Sequence, residues 1–338
     1  MHIAKHAFLF VFLTLTAESA LAGNWEQRRA KLNLSYQQNE FRIFYTFNGK
    51  DAVPVKLRTD RNRNQIPDLV EDIMTQLLVA NTIYVASMKL RHPLKSPRYK
   101  DRVKFIDINL LKFPLTKGGP KRGIAYDGII SFQRKIDGKR PIKSLAIDLS
   151  NSINTGNITP AHELFHLYQN GYTLFKNRWY TEGTARWAEH AIKSGTGAVG
   201  TLPATQSQLQ KLFRSSYDAA GFWNSLAFSA DTREPLRIPN KTLQTRYVLI
   251  DKKVIKGSNL YGVRFIRVFL ENLDKLDDEA SVERGLDKLY WKEKVQKSRS
   301  NNVYIWRAVL NALRACCSKP KARALADKLS HLKVENAI

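Results

Sequence analysis

His162 and His166 stand four residues apart in the stretch HELFHLYQNGY, and Glu163 directly follows the first. On a helix, positions four apart share one face with β-carbons roughly 6 Å from each other, so both imidazoles can turn a nitrogen toward one point. A zinc ion about 2.0–2.1 Å from each nitrogen fits there. Glu163 sits one residue round, within reach of a water activated by the ion but not ligating it, which is where a general base is needed. The chemistry these three residues imply is metal-assisted hydrolysis.

A catalytic zinc takes three protein ligands and keeps a fourth position open. The metzincin extension would place Gly at 169 and His at 172; the chain has Gln169 and Tyr172, which excludes that branch. Fifteen residues lie between His166 and Glu182, so a short turn can fold the next helix, RWYTEGTARWAEH, back beside the first. Glu182 near its beginning then faces the ion, and Gly183 allows close backbone approach. Glu189 is seven residues further on nearly the same face but about 10.5 Å along the axis. It is therefore read as outer support or a salt-bridge partner. Arg186, one turn from Glu182, is the candidate to hold a carboxylate. A hydrolytic oxyanion also needs a donor; Tyr261, in NLYGVRF at an expected helix start, is the candidate, with a packed core tyrosine as the plainer reading.

HELFH followed by WYTEGTARWAE resembles the gluzincin zinc peptidases, whose aminopeptidase branch carries a W-x-x-E-G-x-A-x-x-x-E helix. The resemblance implies His162, His166 and Glu182 as zinc ligands and Glu163 as the base. No G-x-M-E-N stretch is present, so aminopeptidase specificity does not carry over. Over most of the chain the sequence is also similar to a bacterial group of secreted metalloproteases first named from myxobacteria. That group combines an early strand, a D-x-D-x-D-G-x-P-D-x-x-E segment, a sheet, H-E-F-F-H and W-x-x-E-G-T-A; here DRNRNQIPDLVE, HELFH and YTEGTARWAE occur in the same order. The activity implied is a zinc-dependent endopeptidase acting on polypeptide. The rival from another class is a non-catalytic, metal-stabilised exported protein that binds anionic envelope polymers. Glu163 tells against it, since a structural site needs ligands and no base.

A second metal is suggested by spacing. Asp60, Asn62, Asn64, Asp68 and Glu71 occupy positions 1, 3, 5, 9 and 12 of a twelve-residue calcium loop, with the carbonyl of Ile66 at position 7. Gln65 stands at position 6, where the turn normally requires glycine, and two neutral Asn residues replace Asp. The competing reading is a polar loop capping the helix that follows, with Asp68 and Glu71 favourable near its N-terminus.

The positioning elements can be read from periodicity. FRIFYTF (41–47), RVKFIDINL (102–110), GIAYDGIISFQ (123–133) and SLAIDLS (144–150) are strand-like runs, and GIAYDGIISF could offer an edge to an extended peptide. From Ile66, apolar positions at helical spacing predict a long helix to about Leu90, before Pro93. Thr159 can cap the motif helix with Pro160 in its first turn, and the second site helix is expected from about Thr181. From Ser207 onward the chain reads as amphipathic helices. The fold class is α+β: an N-terminal mixed sheet lobe over 23–157, zinc-site helices over 158–195 and a helical C-terminal lobe over 196–338, a zincin-like order.

Residues 1–22 read as a secretory signal with cleavage near Ala22/Gly23, which makes the expected location secreted or periplasmic. No later segment is read as a transmembrane span. The formal charge is +25, from 55 Lys and Arg against 30 Asp and Glu. It favours anionic surroundings such as an envelope surface; the cations are scattered, with no nucleic-acid signature. The only cysteines, Cys316 and Cys317, are adjacent, so no internal disulfide is expected. With 43% hydrophobic residues, stability must come from packing.

Overall fold

In FIDINLL and KSLAIDLS, isoleucine and leucine alternate with Asp, Asn, Ser and Ala, and both sets are buried. The computed structural model describes residues 25–116, 119–120, 122–131, 142–195, 197–230, 234–257, 259–316 and 320–334. The expected signal segment, Cys317 and most of the basic run after Ser131 lie outside them. The central sheet runs β1(Leu34–Gln38), β2(Phe41–Tyr45), β3(Phe105–Leu111), β6(Lys143–Ser150) and β4(Gly123–Ala125), with β5(Ile130–Ser131) also paired to β6. The β2–β3 and β3–β6 pairs are parallel; β1, β4 and β5 join antiparallel. The architecture is thus α+β with a mixed sheet.

One face, carrying Ile43, Ile106, Ile108, Ile147 and Leu149, packs under the helices. The other holds a buried ionic layer. Arg42 forks onto Asp107 at 2.7 and 2.9 Å, and Arg29, from the short helix α1 over residues 25–30, grips Asp148 at 3.0 and 2.6 Å. Ser144 donates to Asp107, while Asn109 and Tyr126 donate to Asp148. Alternation alone would place these carboxylates in water; bidentate Arg partners let them stay inside instead.

Three boundaries differ from the sequence expectation. The strand expected over 123–133 is interrupted, because Asp127 is drawn out of the sheet by Lys176 (2.7 Å), Gln296 (2.8 Å) and Arg98 (3.1 Å). The long helix expected to reach Leu90 is α2(Asp68–Thr82) followed by a π-turn at Ile83–Ser87, and it ends before Lys89, which lies at φ +59°. By length and composition Asp68–Ser87 is apolar enough to cross a membrane, a property the sequence reading denied to any later segment; its most apolar window is 67% buried inside the fold, as a core helix would be.

The site helices are α3(Thr159–Tyr172) and α4(Arg178–Glu189). Thr159 lies inside α3 and does not cap it; Asn157 Oδ1 accepts from the Thr159 amide at 3.0 Å in that role. The helix α4 starts one turn earlier than expected, after Asn177, whose side-chain amide is anchored to Ser298 and Asn302. The chain continues through α5(Gln206–Phe213), α6(Ala220–Ala230), α7(Val263–Glu283), α8(Asn302–Cys316) and α9(Pro320–Ser330). A single cluster of buried side chains extends from Phe41 to Leu332, so the segments read as separate lobes share one core. Cys316 is buried within it.

Candidate metal centre

Pro160 and Ala161 open α3, and the helix buries its face toward α2 and α4 through Leu164, Phe165, Leu167 and Tyr168. Its start is pinned from α2, where Gln76 Oε1 accepts from the Ala161 amide at 3.2 Å, and from the π-turn that follows, where Tyr84 donates to the Ala161 carbonyl at 3.1 Å. Gly183 brings α4 close to its neighbours: a β-carbon there would lie 2.3 Å from Trp223 of α6.

This framework brings His162, His166 and Glu182 together. The two Nε2 atoms are 3.1 Å apart, and Glu182 Oε2 lies 3.3 Å from His162 Nε2 and 3.6 Å from His166 Nε2. Three ligands of a tetrahedral ion at about 2.0–2.1 Å are separated from one another by about 3.3–3.4 Å. The triangle therefore has the size of one zinc coordination face. Among the described residues, Glu182 Oε2 is buried and has no hydrogen-bond partner, so the group could hold a metal ion.

Both rings are held from behind. His162 Nδ1 meets Glu189 Oε1 at 2.9 Å, and His166 Nδ1 meets Gln169 Oε1 at 2.6 Å. Bonds at Nδ1 leave Nε2 of each ring as the coordinating nitrogen. Glu189 therefore contacts His162 from behind with one oxygen, and its other oxygen is paired with Lys193 (2.5 Å) and Arg186 (3.6 Å). Among the described ion pairs Arg186 meets Glu189, its i,i+3 neighbour, at 3.6 Å and none joins it to Glu182. The cation beside Glu182 is Arg178 at 3.6 Å, on the exposed first turn. Gln169 entered the sequence reading only as a residue that is not glycine. It also donates to Thr181 O (2.8 Å) and Thr184 Oγ1 (2.6 Å), tying α3 to α4.

The electrostatics follow from burial opposed by partners. Burial pulls the His162 imidazolium down, but Glu182 and Glu189 outweigh it and hold the ring at about 9. Burial likewise raises Glu182, yet the two histidines pull it well below the ordinary carboxylate range; Glu189, similarly opposed by His162 and Lys193, falls to about 2. Glu163 goes the other way. Burial raises it above the usual glutamate value, against the opposing pull of His166 and His162. It sits beneath the edge strand β4, where the Ala125 N–H serves its carboxylate. A β-carbon on Gly123 would lie 2.6 Å from Glu163 Cγ and 2.7 Å from Oε1, so the Glu163 side chain fits because position 123 has none.

Gly123, Glu163, His166 and Glu182 line a cleft of about 850 Å³. No family model, curated protein or solved structure matches this chain. The lining of the cleft also includes Tyr126, Asp127, Tyr217, Leu289, Tyr290 and Trp291. Tyr261 takes no part in it. Its ring packs on Phe228 with centroids 5.0 Å apart and its carbonyl accepts from Trp187, so the sequence candidate for oxyanion donor is a packing tyrosine. Of the tyrosines that line the cleft, Tyr217, from a turn between α5 and α6, has its ring beside that of His162. Its ring lies 6.1 Å from that of His162, with Arg178 and Arg186 over it at 5.7 and 5.1 Å. Burial and Glu182 raise its hydroxyl to about 12, which keeps it a donor at neutral pH. Nothing in its local sequence, RSSYDAA, distinguishes it; only the folding of that turn over α4 does.

Proposed function

We propose that the protein is a zinc-dependent endopeptidase with a gluzincin-type site, in which His162, His166 and Glu182 hold the ion and Glu163 is the general base. The observation that carries this is the buried, unpartnered Glu182 oxygen facing two Nε2 atoms whose rings are fixed from behind, with a raised carboxylate one residue from the first ring. A bound zinc supplies an electrophile for the scissile carbonyl and lowers the pKa of a water toward about 7. The chain supplies the rest. Glu163, with its proton affinity raised by burial, takes the proton of the attacking water and delivers it to the leaving amine. Tyr217 is placed to donate to the oxyanion. The edge strand β4, paired with β6 on one side only within the central sheet, offers backbone groups to an extended peptide above the base.

A binding protein stabilised by metal would need the ligands but would gain nothing from a buried carboxylate held beside them. Metal analysis of the purified protein, together with a casein digestion assay with and without chelator, tests the reading. One zinc per chain and chelator-sensitive cleavage are expected. Glu163→Gln should keep the zinc and lose the cleavage; undiminished cleavage by that variant overturns the assignment of the base.

A further inference from the structure

The loop between Asp60 and Glu71 takes no part in the hydrolytic site. Where a twelve-residue cation loop has glycine at its sixth position, Gln65 adopts the left-handed conformation at φ +70°, and Arg63 does so at +59°. Asp60 accepts from the amides of Asn64 (3.1 Å) and Gln65 (2.8 Å), and Asn64 Oδ1 accepts from Ile66 N at 2.9 Å. These bonds give the loop its curl but do not in themselves call for a ligand.

Asp68 does. It is 0% exposed. Its Oδ1 accepts from the Arg61 amide at 3.0 Å, inside the loop. Its Oδ2 is buried with no hydrogen-bond partner; the nearest cation, Arg61 Nε, stands 3.9 Å away on a side chain that is 58% exposed. A buried carboxylate oxygen without a donor is costly. Glu71, also buried, turns its carboxylate to the side-chain amides of Asn62 (3.0 Å) and Asn64 (2.7 Å), which brings positions 3, 5 and 12 together, while Asp60 and Asp68 bind the loop's backbone amides. Asp68 and Glu71 do lie in the first turn of α2, favourable to its N-terminus, but that placement gives Asp68 Oδ2 no donor. The N-cap of α2 is Pro67 with no side-chain cap bond, and the first-turn amides go to the carbonyls of Thr59 and Pro67.

We infer that residues 60–71 hold a hard divalent cation, calcium by the all-oxygen donor set, through Asp60, Asn62, Asn64, Asp68, Glu71 and the Ile66 carbonyl. Three carboxylates, offset by Arg61 and Arg63 in the same loop, place the affinity at the weak end for such loops, about 10⁻⁴–10⁻³ M. The ion sits at the root of α2, whose Gln76 holds the start of α3 through Ala161. Occupancy of the loop therefore braces the helix that carries the histidines. The inference does not depend on the reading of the histidine site.

The test is thermal unfolding of the full chain, kept in micromolar zinc, across a titration into millimolar calcium chloride and, separately, magnesium chloride at matched ionic strength. The unfolding midpoint should rise with calcium in a concentration-dependent way, more than with magnesium. Asp60→Asn and Asp68→Asn, which retain an oxygen for the internal amide bonds, should lose most of that rise. No rise, an equal rise with magnesium, or an undiminished rise in both variants overturns the assignment. If Asp68→Asn does not fold, the comparison rests on Asp60→Asn and on calorimetric titration of the wild type, where saturable heat at one equivalent supports the site and its absence removes it. Because the readout is stability, loss of proteolysis or of zinc leaves the outcome interpretable.

Discussion

Gln169 Oε1 stands 2.6 Å from His166 Nδ1 while its amide nitrogen reaches Thr181 and Thr184 across the helix pair. One side chain thus sets the orientation of a candidate ligand and the spacing of the helices that carry the ligand set. Removal of such an outer partner lowers metal affinity about 10–100-fold. Gln169→Ala is expected to do so, measured by competition with a zinc chelator, whereas Gln169→Glu, which retains the acceptor, should fall less. Equal zinc affinity in wild type and Gln169→Ala would show that the bond has no such role.

Gly123→Ala adds a methyl group 2.6 Å from Glu163 Cγ and 2.7 Å from Thr159 Cγ2. The base must move, since the strand backbone is fixed by pairing to β6. Cleavage should fall at least about tenfold in kcat, on the scale lost when a general base is misplaced. Zinc content should stay at the wild-type level. Unchanged kcat would mean that the carboxylate is not where the reaction needs it.

The two tyrosines can be separated by the same substitution. Tyr217→Phe removes the hydroxyl near Glu182 and should reduce kcat about 10²-fold with little change in KM, the usual effect of losing one oxyanion donor. Tyr261→Phe, whose ring packs on Phe228, should leave both constants within about twofold of wild type. The reverse pattern would restore the assignment suggested by sequence.

A pH effect on stability is expected far from the site. Asp277 on α7 accepts from the Leu174 amide at 2.7 Å, and burial raises its carboxyl to about 8 from an ordinary 3.8. Between those values the folded chain keeps a proton that the unfolded chain has lost. This group's contribution to stability is therefore full below about pH 4 and is lost progressively as pH rises toward 8. Asp277→Asn removes the dependence and should stabilise the protein at pH 8 by at least about 1 kcal/mol relative to pH 5, read from unfolding midpoints at the two values. Parallel melting curves for both proteins across that range would argue that the carboxyl is ionised throughout.

The triad was legible because its information is local: helical spacing puts His162 and His166 on one face, and a second helix beginning near Glu182 needs only a short turn to bring it alongside. Glu189 was legible for the same reason, its distance along the axis placing it behind the ligand layer. What sequence did not carry depends on contacts between distant segments. Gly123 lies forty positions before Glu163 and is ordinary until strand and helix meet. Tyr217 and Tyr261 are equivalent as text, and the choice between them is made by which turn folds over α4. The burial of Asp107 and Asp148 is likewise hidden in the sequence, because alternation does not reveal an arginine arriving from another segment. The ends of α2 and of the strand after Gly123 were misplaced for a related reason, since an ion cluster and a left-handed lysine terminate them where periodicity alone would continue.

The grip of Arg29 on Asp148 also has a consequence for the life of the chain. Tyr126, in the cleft wall, shares that carboxylate, so the outermost helix and the catalytic rim are tied through one anion. Nicking the polypeptide just after Arg29 would withdraw a counter-ion from a fully enclosed charge, a loss on the order of 3–5 kcal/mol, and slacken the rim from the rear. A protease cutting there would loosen the fold from behind while leaving His162, His166 and Glu182 untouched.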